Sequence, residues 1–164
     1  PLARAAAAVF VALALHQIGG RVLVHLTAAP LAAGEAALTA ALLGLLRDDV
    51  MVAGNAIATE GHLLYVISDC LSLNLVMQGL LCCFAVARAF RPVWRWSELW
   101  SWALLICVMV AFNLVRLALV GWGPGLFNLL HEGPGRTLVE LTGLALQLAI
   151  AGWAVRREMW GARR

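Results

Sequence analysis

The chain has 164 residues, of which 63% are hydrophobic and 13% charged, with a mean hydropathy of +0.88. A soluble domain is nearer half apolar, so the excess calls for a bilayer rather than water, and one membrane domain over residues 1–164 is the expected organisation. The net charge of +3 comes from arginine alone, with no lysine. These arginines form short flanks rather than a basic stripe interleaved with aromatics, which argues against a nucleic-acid interface.

Residues 2–46 are rich in Ala and Leu and are interrupted by Gly19-Gly20-Arg21, by Pro30 and by Gly34. Their length fits two crossings, with a turn near Arg21 or Pro30, or one crossing plus an interfacial helix. The apolar character runs well past any cleavage point, which argues against a signal peptide. Residues 47–69 are the one stretch with strand character. Val50, Val52, Ile57, Leu63, Tyr65 and Ile67 partly alternate around Gly54-Asn55 and Glu60-Gly61, as in a short hairpin or extended lid.

Three spans follow, over about 71–89, 98–120 and 136–155, each near the roughly 20 residues a crossing needs. Arg88, Arg91 and Arg95 crowd the first connection, and Arg156, Arg157, Arg163 and Arg164 follow the last span. Short Arg-rich segments mark the cytoplasmic side, and Trp94, Trp96, Trp100 and Trp160 beside them fit an interfacial belt. Segments 47–69 and 121–135 then lie on the extracytoplasmic side. The expected fold is an all-α integral membrane bundle of about five transmembrane helices with a short extracytoplasmic extended or hairpin segment.

This topology gathers three chemically distinct residues. At about 1.5 Å per helical residue, Cys70 stands roughly 27 Å from Arg88, Arg116 roughly 31 Å from Arg95, and His131 roughly 37 Å from Arg156. All match or slightly exceed the apolar thickness of roughly 30 Å, so all three belong at the outer interface. A thiolate is a nucleophile favoured by a nearby cation. The His131 imidazole can take the thiol proton and return it to a leaving amine. Arg116 can stabilise an oxyanion or hold a substrate carbonyl or carboxylate. Asn113 lies one turn below Arg116 and is placed to orient its guanidinium; Asp69 or Glu132 is placed to orient the imidazole. Each of the three also has a simpler reading, as a snorkelling Arg, a wet interfacial His and an inert boundary Cys.

The remaining cysteines, Cys82, Cys83 and Cys107, fall inside apolar runs and read as small packing residues. No CxxC pair or Cys/His ligand spacing is present, so no metal or cofactor is expected. His16, His25 and His62 read as structural or interfacial.

Ile67-Ser68-Asp69-Cys70-Leu71-Ser72, then Asn113-Leu114-Val115-Arg116, then His131-Glu132-Gly133 resemble the exosortase/archaeosortase family over about residues 47–150. Members carry a Cys, an Arg and a His or second Arg in this order, each at the extracytoplasmic end of a transmembrane segment. Here Leu71-Ser72 follows the cysteine, where the family often has Ser-Gly. The resemblance implies a membrane cysteine protease or transpeptidase of the inner membrane with Cys70 as nucleophile and Arg116 and His131 completing the triad. Its substrate is a protein with a C-terminal sorting signal, made of a short motif, a transmembrane helix and a basic tail. Two other classes fit the same composition. One is a non-catalytic membrane subunit that binds a partner helix through small residues. The other is a transporter fragment with Arg116 in an anion path.

Overall fold

The computed structural model describes residues 2–91 and 93–161, with side chains for residues 6–91 and 93–156. In chain order it contains α1 (Leu2–Gly44), β1 (Met51–Ala53), β2 (Ala56–Thr59), β3 (His62–Tyr65), α2 (Ser72–Phe90), α3 (Glu98–Gly121), α4 (Pro124–Phe127) and α5 (Gly135–Gly161). Among the described residues four helical segments are long and apolar enough to cross a membrane: Ala6–Gly44, Ser72–Phe90, Glu98–Gly121 and Gly135–Arg156. This is the make-up of a helical membrane protein. Phe10, Ile18 and Leu26 stand exposed along α1, as lipid-facing side chains do.

The N-terminal region differs from the two-crossing reading, since α1 is one unbroken helix with Pro30 inside it. The bundle therefore has four long helices among the described residues, where about five were expected. In lipid an unpaired backbone group costs several kcal/mol, against about 1 kcal/mol for a glycine in a helix. Gly19, Gly20 and Gly34 are accordingly absorbed without a turn. Arg157, Trp160, Arg163 and Arg164 of the expected basic tail lie outside the residues whose side chains are described.

Segment 47–69 is a three-stranded antiparallel sheet in the order β1-β2-β3. Ala53 pairs with Ala56 and Thr59 with His62, which leaves two-residue turns at Gly54-Asn55 and Glu60-Gly61. Gly54 (φ 59°) and Gly61 (φ 75°) take the left-handed backbone these turns require. Ile57 and Leu64 are cross-strand partners and turn the same face inward, at 1% and 4% exposure. They join Ala36 and Leu43 of α1 and Leu117 and Val120 of α3 in one core.

Polar ties fix the sheet to this end of the bundle. Arg47 donates to both carboxylate oxygens of Asp49 (2.8 and 2.6 Å) and to the Trp122 carbonyl (2.6 Å). Asp49 also accepts from the Glu60 backbone N–H at 2.7 Å. These bonds hold the Asp49 carboxyl well below the usual carboxylate range, the Arg47 bond being the largest cause.

A second core fills the middle of the bundle, where Val76 and Cys83 of α2 meet Leu105 and Met109 of α3 and Ile150 and Ala151 of α5. Gly79 permits this approach; a β-carbon there stands 2.9 Å from Leu105 Cδ2 and 3.3 Å from Gln147 Cγ. At the far end, Arg88 Nη2 donates to both oxygens of Glu98 at 2.5 Å, and the two side chains are 8% and 3% exposed. Arg88 therefore joins the ends of α2 and α3, a role beyond orienting the chain in a membrane.

Candidate functional site

The end of β3 leads straight into the site. Val66 returns a backbone bond to Asn55, and the chain then makes a single 3-10 turn over Ser68–Cys70. Cys70 closes that turn with its N–H on the Ile67 carbonyl at 2.9 Å. Leu71 is extended, and α2 begins at Ser72. The cysteine thus sits just before a helix N-terminus, where unpaired N–H groups and the helix dipole favour negative charge. It is 5% exposed.

Arg116 comes from the outward half of α3 and is half-buried. Its Nε is buried without a hydrogen-bond partner. His131 lies in a wide π turn, Asn128–Glu132, which follows α4 without a break. Such turns recur at functional sites. The His131 ring packs on Phe127 at 4.9 Å, and Phe127 in turn packs on His62 of β3 at 5.3 Å.

Cys70, Arg116 and His131 line one cleft of about 310 Å³, together with Asp69, Phe112, Arg136 and Glu140. The structure thus brings the three distant residues to one place. Among the described residues, no hydrogen bond joins the Cys70 thiol to Arg116 or His131. The cleft they share is large enough to admit water or a small group.

The supporting residues behave differently from expectation. Asn113 is fully buried and makes no bond to Arg116. Its amide nitrogen donates to the Cys70 carbonyl at 2.7 Å and to Glu35 at 3.0 Å, so it supports the cysteine rather than the arginine. Asp69 lines the cleft but bonds to Ser68 Oγ (3.3 Å), not to His131. Glu132 is exposed and makes no bond to the imidazole. Two residues not expected at the site, Arg136 and Glu140, pair at 2.9 Å on the cleft wall, one turn apart on α5.

Glu35 is the principal omission. This acid of α1 is 8% exposed and accepts from the Ser72 N–H (2.9 Å), the Ser72 hydroxyl and Asn113 Nδ2. One signal for it was available, since an ionisable residue inside a span marks a site by default.

On the other side of Asp69 a wider groove of about 500 Å³ runs along α1 past His16, Arg21 and His25. His16 Nδ1 is buried without a partner there. Cys82 and Cys83 sit in or beside the middle core, and Cys107 is exposed on the outside of α3. Among the described residues no three His, Cys, Asp or Glu side chains are grouped as a metal site needs. No protein-family model, no curated protein and no solved structure matches the chain.

Proposed function

We propose that this protein is a membrane-embedded cysteine protease or transpeptidase. Its substrates are exported proteins that end in a transmembrane helix and a basic tail, and it cuts them at the extracytoplasmic face. The observation that carries the reading is the single cleft shared by Cys70, Arg116 and His131 at the sheet end of the bundle. The arginine-rich connection at the opposite end supports placing that end in the cytoplasm of an inner membrane.

In this reading His131 takes the Cys70 proton, and the thiolate attacks the scissile carbonyl. Arg116 donates to the oxyanion of the tetrahedral intermediate. Collapse breaks the C–N bond and leaves a thioester on Cys70, while His131 returns its proton to the departing amine of the helical tail. Water or an acceptor amine then attacks the thioester, His131 again taking the proton, and frees the thiol. The exposed Arg136–Glu140 pair on the cleft wall offers polar groups to a peptide backbone.

A second reading is a non-catalytic subunit that binds a partner helix. It is favoured by the open space beside Gly19 and Gly34 on α1, where another helix could approach closely. Co-expression with a helix-tailed substrate separates the two. The enzyme reading expects Cys70→Ala to abolish cleavage, whereas Cys82→Ala, Cys83→Ala and Cys107→Ala leave it intact. It also expects a covalent substrate adduct to be trapped on Cys70. Cleavage at the wild-type rate by Cys70→Ala would remove the nucleophile and with it the enzyme reading.

A further inference from the structure

Glu35 lies between the buried residues Ala32 and Ala36 of α1, and among the described residues its bonded partners are Ser72 and Asn113 rather than a cation. A carboxylate in that setting is expensive unless donors surround it. Here they come from two elements of the Cys70 site. Ser72 is the first residue of α2, so its N–H is one of those a helix leaves unpaired, and Leu71 supplies no side-chain cap. Glu35 accepts that N–H and the Ser72 hydroxyl, and so caps α2 from a neighbouring helix.

The third donor is Asn113. Its amide nitrogen spends one hydrogen on Glu35 Oε2 and the other on the Cys70 carbonyl. The orientation of this amide follows from the chemistry. Reversed, its oxygen would face two acceptors with lone pairs against lone pairs. Cys70 and Ser72 are two residues apart, and the hold on each traces back to the same carboxylate. Glu35 does not line the cleft, and its bonds reach the cysteine through Ser72 and the Asn113 amide.

We propose that Glu35 is the positioning residue of the cysteine site, fixing the Cys70–Ser72 segment through Asn113 and the start of α2. This rests on the reading of Cys70 as nucleophile. The test uses the full chain with Cys82, Cys83 and Cys107 replaced by alanine. Two rates are followed: cleavage of a helix-tailed substrate, and alkylation of Cys70 by iodoacetamide across pH. Displacement of a reacting group by about 1 Å costs on the order of 10²-fold. Glu35→Gln is therefore expected to lower kcat by about that factor with KM little changed, and to alter the pH profile of alkylation.

The decisive variant combines Glu35→Gln with Asn113→Asp. It restores a hydrogen bond between α1 and α3 with donor and acceptor exchanged, but turns an oxygen toward the Cys70 carbonyl. Membrane abundance and thermal midpoint are expected to return to wild type while cleavage stays low. Wild-type cleavage in either variant would overturn the proposal, as would failure of the double variant to accumulate. The alkylation profile needs no substrate, so it tests the hold of Glu35 separately from the protease reading, which Cys70→Ala tests.

Discussion

Replacing Arg116 by lysine separates its proposed catalytic role from anchoring. Among the described residues the Arg116 side chain makes no ion pair or hydrogen bond, and its Nε is buried unpaired. Arg116→Lys thus removes no internal bond, and the folded protein should lose little, within about 0.5 kcal/mol as for substitutions away from special features. What it removes is the planar fork of donors in the cleft that Cys70 also lines. Loss of one oxyanion donor slows acyl transfer on the order of 10²–10³-fold, about 2.7–4 kcal/mol of transition-state stabilisation. The assay is cleavage of a helix-tailed substrate per folded molecule, with membrane abundance measured in parallel. Arg88→Ala provides the opposite profile, because it takes the buried guanidinium away from the Glu98 carboxylate, which keeps the Arg95 backbone N–H, and should cost up to about 3–5 kcal/mol of stability. Arg136→Lys keeps an exposed pair with Glu140 and should change neither quantity much. Near-normal turnover in Arg116→Lys would refute the oxyanion role and leave Arg116 as a snorkelling anchor.

Topology is checked with single-cysteine variants: Asn55→Cys should react with a membrane-impermeant maleimide in intact cells, and Ser97→Cys only after lysis. The reverse pattern would invert the bundle. Gly79→Val places branched carbon against Leu105 and Gln147 and should cost about 1–3 kcal/mol, read as a lower thermal midpoint. The Asp49 carboxyl is held below its ordinary range, so the stability it adds is complete above about pH 4 and is lost as pH falls through the folded value. Hydrogen exchange across the sheet should therefore quicken on acidification below about pH 4, and Asp49→Asn should remove that dependence.

The elements with strong local signals were legible. The three later helices have apolar stretches of spanning length, and the structure places them at Ser72–Phe90, Glu98–Gly121 and Gly135–Gly161. The sheet was legible from its turns, since Gly54 and Gly61 stand where a positive φ is needed. Alternation over residues 50–67 did not reveal how deep the second and third strands lie, because Ile57 and Leu64 are buried by α1 and α3, remote in sequence. For the N-terminal region the sequence left one or two crossings open, and α1 runs through its glycines and Pro30 as one helix. Glycine and proline are the usual helix breaks in a sequence, but a single Gly costs only about 1 kcal/mol inside a helix and is outweighed by the residues around it.

The site divides along the same line. Cys70, Arg116 and His131 were found by depth along helices, which rise per residue supplies from sequence alone. Depth does not report azimuth, and azimuth decides what touches what. Asn113 and Arg116 are one turn apart, yet the Asn113 amide is turned to Cys70 and Glu35. That choice is set by α1, whose Glu35 lies 78 residues from Asn113 and 37 from Ser72. No periodicity within one helix carries such a pairing. A lone carboxylate in an Ala-rich span does carry half of it. It must find donors at its own depth, and the only orphan N–H groups that a bundle offers there belong to a helix that starts inside it. The helix α2 starts at Ser72, two residues after the cysteine. A buried acid in one span and a cysteine just before the start of another are therefore linked features, and finding either is a reason to look for the other.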